Sequence, residues 1–233
     1  MLDFYVLENA CELKLWCTFA KFCSLSSLFS EDKWVNWVDL LSEKNYVVID
    51  NVLPEVQLNS IVESMNEHLA EEAFKKAAIG TSNQKHIDRS IRGDEILWLN
   101  KDTDPNRLSS FFTLAEETKD MLNRLCYLSL SGYEFHFAHY PKGTFYKRHL
   151  DQFQGRNNRM ISVILYLNKN WQPEHGGGLK LFFDNTEEIV EPIFGRLVMF
   201  RSDVLEHEVL ITNQDRYSIT GWMLYNPVGL GFL

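Results

Sequence analysis

Residues 138–151 read AHYPKGTFYKRHLD, and the closing triplet His149-Leu150-Asp151 decides how the rest of the chain is read. In an extended strand, side chains two positions apart point the same way. His149 and Asp151 can therefore reach one ion from a single strand. A third ligand must come from elsewhere, and His207, in Glu206-His207-Glu208, lies in a second β-type run far along the chain. Two imidazoles and one carboxylate leave three positions of an octahedral Fe(II) open, enough for a chelating co-substrate and O2. A lone H-x-D is a weak signal, most often a satisfied structural histidine, so the surroundings decide.

Those surroundings are β-rich. From Tyr133 onward, short apolar and β-branched runs alternate with turn signals at 133–140, 145–151, 160–167, 178–183, 187–191, 196–201, 206–211 and 216–224. Short strands so spaced predict a sandwich or jelly-roll barrel. The last run places Arg216, Ser218, Thr220 and Trp222 on one face, which puts a guanidinium near the barrel interior. Its planar fork suits a carboxylate held by two hydrogen bonds. Buried without an acidic partner it is costly unless an anion meets it.

Upstream the pattern is helical. Ser30-Glu31-Asp32 suits a helix start, with Trp34, Trp37, Val38 and Leu41 on one face behind it. Tyr46 to Ile49 reads as a strand. Pro54 opens a helix running to about residue 78, striped by Leu58, Ile61, Met65, His68 and Leu69. Another helix runs from Pro105 to about Leu128. The polar stretch 80–94 reads as a long loop, a type that is often functional. The expected fold class is α+β, with helices outside one β-barrel. Residues 1–29 form an N-terminal appendage and 30–233 a single domain.

Composition narrows the function. Net charge is -9 and no long basic run appears, whereas a duplex-binding surface needs clustered Lys and Arg. Nucleic acid is therefore not the expected substrate. Cys11, Cys17, Cys23 and Cys126 form no C-x-x-C pair and read as thiols of a reducing compartment. Lys14 and Lys21 interrupt the apolar stretch from Leu13 to Phe29, which is too short and polar to span a bilayer. No basic-then-apolar leader opens the chain, so the expected location is cytoplasmic. Oligomeric state is not encoded in any of these features.

Read together, several segments resemble a known family. They are residues 138–151, Leu165 to Trp171, Gly176-Gly177-Gly178-Leu179, His207-Glu208-Val209, Arg216 to Thr220, and upstream Ile91-Arg92-Gly93-Asp94. In matching order across residues 45–225 they are similar to the prolyl 4-hydroxylase-type oxygenases, above all the animal oxygen-sensing prolyl hydroxylases and their bacterial relatives. The joint match is specific where each piece alone is not.

The resemblance implies a double-stranded β-helix (jelly-roll) core. It implies Fe(II) at His149, Asp151 and His207, chelated by 2-oxoglutarate. Arg216 would hold the distal carboxylate of 2-oxoglutarate, with the Tyr166 hydroxyl beside it. Tyr140 would line the same pocket, and Thr220 and Trp222 would flank it. O2 and 2-oxoglutarate would be consumed and succinate and CO2 released. Ascorbate would serve as reductant, and C4 of an accessible prolyl residue in a protein would be the target. The resemblance further implies an Asp94–Arg159 ion pair that tethers the 80–94 loop over the site. An oxygenase acting on a free amino acid or other small molecule is the alternative, since the metal ligands do not encode the substrate. A non-catalytic 2-oxoglutarate-binding module is the other. The complete His149-Asp151-His207-Arg216 set speaks against that module, and succinate release separates the two.

Strand alternation adds two expectations. His136 shares a face with Ala138 and Tyr140, so it points inward as a hydrogen-bonded core imidazole. Family members commonly carry an apolar residue there. Tyr146, Arg148 and Leu150 share the face opposite His149, which places Tyr146 and Arg148 at the entrance, in reach of substrate or solvent.

Overall fold

A computed structural model describes residues 27–77, 88–152 and 158–225. Most of the N-terminal appendage with Cys11, Cys17 and Cys23, residues 80–87 of the 80–94 loop, and the 228–233 tail lie outside the described residues. The helices are α1 (Glu31–Lys44), α2 (Glu55–Ala70) and α3 (Ser109–Cys126). Strands β1 (Tyr46–Ile49), β2 (Lys75–Lys76) and β3 (Glu95–Leu99) alternate with them. The remaining strands are β4 (Gly132–Tyr140), β5 (Tyr146–His149), β6 (Arg159–Tyr166), β7 (Leu179–Phe182), β8 (Glu187–Val190), β9 (Leu197–Arg201), β10 (His207–Val209) and β11 (Arg216–Leu224).

The strands form a large sheet in the order β1-β9-β6-β11-β4-β3-β2 and a small one in the order β5-β10-β7-β8. All named pairings are antiparallel. This is the jelly roll expected. Period-two alternation divides the large sheet into two faces. Phe135 and Phe137 of β4, Ile161, Val163 and Leu165 of β6, and Ile219 and Met223 of β11 join the helices in one core. The opposite face sends Ala138, Tyr140, Ile164 and Tyr166 toward Leu179, Leu181 and Val209 of the small sheet. Apart from Asp151, which follows β5 in a turn, the metal and co-substrate residues project from that second face or from the small sheet opposite.

The helical expectations hold in place but not in length. α2 stops at Ala70 because the chain turns: Glu72 takes φ 55, and the Ala73 N–H donates to the His68 carbonyl. The next residues leave to pair as β2 with β3. α3 begins at Ser109, after a turn closed by the Leu108 N–H on the Asp104 carbonyl. Ahead of α1, the Glu117 carboxylate of α3 accepts hydrogen bonds from the Leu28 N–H, the Phe29 N–H and the Trp34 indole, which docks α1 on α3. Among the described residues, no helix is long and apolar enough to cross a membrane.

Candidate metal centre and co-substrate pocket

β5 ends at His149, Asp151 follows in the turn, and β10 begins at His207. The β5–β10 register sets His149 directly opposite His207, so one sheet delivers both imidazoles. One ligand atom from each of His149, Asp151 and His207 lies within 4.8 Å of the others. His149 Nε2 is 3.5 Å from one Asp151 oxygen, and His207 Nε2 is 3.6 Å from the other.

The tautomers are determined by what the far nitrogens meet. His149 Nδ1 lies 2.7 Å from the Lys147 carbonyl and His207 Nδ1 3.1 Å from the Leu205 carbonyl. A carbonyl only accepts, so each Nδ1 carries its proton and donates. Both Nε2 lone pairs are thereby free and aimed at one point, the usual outer support of a metal-binding imidazole. The Ser162 hydroxyl donates to Asp151 at 2.6 Å and is itself in contact with the buried Ser202 hydroxyl at 2.8 Å. Burial alone would raise the Asp151 pKa; the facing imidazoles and Ser162 outweigh it and hold the carboxyl well below its ordinary range. For His207, burial, reinforced by His149, lowers the pKa to about 4 and leaves the ring neutral at neutral pH. A ready anion beside the neutral His207 imidazole suits a divalent cation.

Deeper in the same cavity, of about 720 Å³, sits Arg216. It is 1% exposed and has no ion-pair partner among the described residues; its Nε and Nη2 lack hydrogen-bond partners, as does the buried Tyr166 hydroxyl. The rings of Tyr140 and Tyr166 lie 4.9 and 5.0 Å from the guanidinium carbon. Tyr140 stands opposite Arg216 across the β4–β11 ladder. Gly177 makes room: a Cβ there would meet the Arg216 side chain at 3.0 Å. A buried, unpaired guanidinium with open donors fits a carboxylate, as a 2-oxo diacid would supply. Along β11, the Thr220 hydroxyl is 3.0 Å from Ser218, and Trp222 lies nearer the mouth, its indole N–H buried without a partner. All the pocket residues named from sequence except Tyr166 line this cavity, and Tyr166 packs behind Arg216.

Three entrance expectations need correction. First, Tyr146 does not face away from His149. The β5–β10 register shifts, with Val209 opposite Tyr146 but His207 opposite His149, so three steps on β5 match two on β10. Such a bulge breaks the alternation. Tyr146 swings inward, and its ring stacks on His149 at 3.6 Å between centroids and 17° between planes. Arg148 stays outside, paired with Glu206 and lying over the Phe182 ring.

Second, the Asp94–Arg159 tether is not formed. The Asp94 carboxylate is gripped by Arg92, whose Nε donates at 2.7 Å, while Arg159 pairs with Glu134 at 2.7 Å and lies over the Trp222 ring. Each charge meets a nearer partner. Residues 91–93 are held instead by backbone: the Lys147 N–H donates to the Ile91 carbonyl, and the Gly93 N–H to the Phe145 carbonyl.

Third, His136 is buried but not hydrogen-bonded. Its Nδ1 has no partner, and its ring packs against Trp98 and Trp222 at 5.0 and 5.7 Å, the two indoles also touching each other. Burial, with Arg92 next, lowers its pKa to about 3. Sequence reasoning gave no role to Ser162, Ser202, Arg92 or Trp98; strand alternation, which sets Ser162 on the inner face of β6 with Tyr166, is the one signal that could have found any of them.

A pH effect follows. The folded-state pKa values of His136 and His207 lie below the ordinary 6.5, so the unfolded chain binds their protons more tightly. In the metal-free protein their contribution to stability is complete above pH 6.5 and is lost as the pH drops toward 4 for His207 and toward 3 for His136, at up to about 1.4 kcal/mol per pH unit for each histidine. Urea unfolding at pH 7.5 and 5.5 is expected to show a lower midpoint at 5.5, with His136→Phe flattening the difference. Equal midpoints in the parent protein would contradict the buried neutral imidazoles.

A jelly roll whose mouth carries two imidazoles and a carboxylate, above a buried free guanidinium, defines a non-haem iron oxygenase class that binds a 2-oxo acid. The comparisons agree. Residues 135–224 match the model of the 2OG-Fe(II) oxygenase superfamily. Human prolyl hydroxylase EGLN3 is 33% identical over 196 residues, covering 79% of this chain and 80% of that protein. A prolyl-4-hydroxylase crystal structure from Pseudomonas putida superposes with a TM-score of 0.76 at 33% identity, covering 83% of this chain and 99% of that one. A Trichoplax adhaerens prolyl hydroxylase, solved with a hypoxia inducible factor peptide, gives 0.74 at 27% identity, covering 83% and 90%. The chain belongs to the 2OG-Fe(II) oxygenase superfamily and is a 2-oxoglutarate-dependent dioxygenase of the prolyl 4-hydroxylase type. Its cofactor is Fe(II), and its co-substrates are 2-oxoglutarate and O2.

Proposed function

We propose that His149, Asp151 and His207 hold the Fe(II), that Arg216 with Tyr166 and Tyr140 holds the far carboxylate of 2-oxoglutarate, and that the enzyme hydroxylates C4 of a prolyl residue in a protein. The observation that carries the assignment is the pairing, in one cavity, of two imidazoles with both Nε2 lone pairs turned on one carboxylate and a buried guanidinium with open donors. Bound there, iron with 2-oxoglutarate and O2 supplies the oxidant that places one oxygen atom in a C–H bond, leaving succinate and CO2.

The chain's own share is positional. The Lys147 and Leu205 carbonyls fix the imidazole tautomers, and Ser162 fixes the carboxylate. Arg216 anchors the co-substrate at a distance from the ligands, and the apolar walls Ile164, Leu179 and Val209 keep water away. A protein substrate is supported by the mouth, where Trp98 and Leu150 are exposed beside the paired Arg159. It is supported also by the peptide held by the Trichoplax relative. We place the reaction in the cytoplasm, where thiols such as Cys126 stay reduced and ascorbate can keep the iron ferrous.

The test is mass spectrometry of candidate proteins after incubation with enzyme, Fe(II), 2-oxoglutarate and ascorbate. A gain of one oxygen on proline is expected. Oxygen gained only on other residues, or only on free amino acids, refutes the prolyl reading while leaving the reaction class intact.

A further inference from the structure

The pocket wall beside His149 carries four groups in contact, Asp94, Arg92, Tyr146 and His149, of which only His149 is a metal ligand. Asp94 is buried and grips Arg92. The Arg92 guanidinium lies 4.3 Å from the centroid of the Tyr146 ring. That ring stacks face to face on the His149 imidazole. The arrangement is built into the backbone, since Arg92 and Tyr146 form a β-bridge and the bulge in β5 turns Tyr146 inward. Gly93 is part of it, because a Cβ there would strike Thr144 at 2.5 Å.

His149 is the ligand most in need of such a prop. Its side chain is 17% exposed, against 5% for His207 and 10% for Asp151. His207 is wedged against the Phe200 ring and Asp151 is tied to Ser162. Apart from the His207 ring at 4.3 Å and the Tyr146 stack, His149 is tied by the carbonyl two residues before it. We infer that Asp94, Arg92 and Tyr146 form a positioning column that holds the His149 ring in its metal-binding rotamer. Arg92 acts through the Tyr146 ring by cation–π attraction, and Asp94 orients Arg92. The inference rests on the metal assignment above.

Titration of the metal-free protein with Co(II), which binds the same donor set and reports coordination through its visible absorption, tests the column without turnover. Arg92→Met is expected to weaken Co(II) binding about 10-fold, the lower end for a supporting group around a ligand, and to alter the visible bands. Arg92→Lys keeps a cation over the ring and is expected to recover most of the affinity. Tyr146→Leu is expected to lose at least as much as Arg92→Met, and Tyr146→Phe, which keeps the ring, almost nothing. The double variant Arg92→Met/Tyr146→Leu should bind no worse than Tyr146→Leu alone, because Arg92 then has nothing to act through.

Parent-like affinity and spectrum in Arg92→Met, or losses that multiply in the double variant, overturn the column. If Arg92→Met does not fold, equal affinities for Tyr146→Phe and Tyr146→Leu overturn it instead. Failure of the parent protein itself to bind Co(II) overturns the metal centre and the column together, and so is distinguishable from failure of the column alone.

Discussion

Asp151→Ala is expected to abolish succinate formation from 2-oxoglutarate, with the fold intact. The carboxylate is the only anion among the three converging ligands, and it faces both Nε2 atoms. Without it, two neutral imidazoles are left to hold a divalent cation in a largely buried site. Changing a supporting group costs roughly 10–100-fold in metal affinity, so loss of a ligand costs more than about 100-fold. Asp151→Asn separates charge from shape. Its amide oxygen can still accept the Ser162 hydroxyl, so the metal-free fold keeps that bond while the anion is gone. Asp151→Glu keeps the charge but displaces it by a methylene, beyond the roughly 0.5 Å tolerance of a catalytic constellation. All three variants are expected to fall below about one-thousandth of the parent rate, and Asp151→Asn to unfold within about 1 kcal/mol of the parent protein in urea. Iron content by metal analysis and succinate by mass spectrometry are the two readouts. An Asp151→Ala protein that keeps stoichiometric iron and the parent rate would remove the basis for the metal centre.

The sequence was most informative where one physical rule acts alone. β4, β6 and β11 are long, obey strict alternation and lie in the middle of the large sheet, so their inward faces could be read residue by residue: Tyr140, Tyr166, Arg216, Ser218. The ligand triplet was legible because His149 and Asp151 keep the i, i+2 spacing on one side of the bulge. Reading failed where a second interaction overrides the pattern. Glu95–Leu99 carries four apolar residues in succession, Ile96 to Leu99, so no alternation marks it as a strand, and it forms one by pairing along the edge of β4. Tyr146 escaped because a bulge shows in the register against a partner strand, not in the strand's own residues. The Asp94–Arg159 pair failed for a related reason. Charge complementarity can be read from sequence, but Arg92 is two residues from Asp94 along the chain, and Glu134 on β4 reaches Arg159 on β6 across the end of β11. Proximity settled the pairing.

Arg216→Met is expected to uncouple two properties that usually move together. Without 2-oxoglutarate the guanidinium is a buried cation with open donors, a state that lowers stability. Replacing it with an apolar chain of similar length is expected to leave the ligand-free protein as stable as the parent, or more so. The same change removes the group proposed to bind the distal carboxylate. Truncating one side of a buried, hydrogen-bonded charge pair costs about 2–5 kcal/mol, so the KM for 2-oxoglutarate is expected to rise about 100-fold or more. The far carboxylate is remote from the reacting carbon, so its grip contributes equally before and during reaction. At saturating 2-oxoglutarate kcat is therefore expected to fall much less than kcat/KM. Arg216→Lys retains the charge without the planar fork and is expected to lie between the two. Thermal unfolding gives the sharpest check. 2-Oxoglutarate with a redox-inert divalent metal should raise the Tm of the parent protein and not that of Arg216→Met at the same concentration. Equal ligand-induced shifts in both proteins would mean that the carboxylate is held elsewhere, and the orphaned donors of Arg216 would need another anion to account for them.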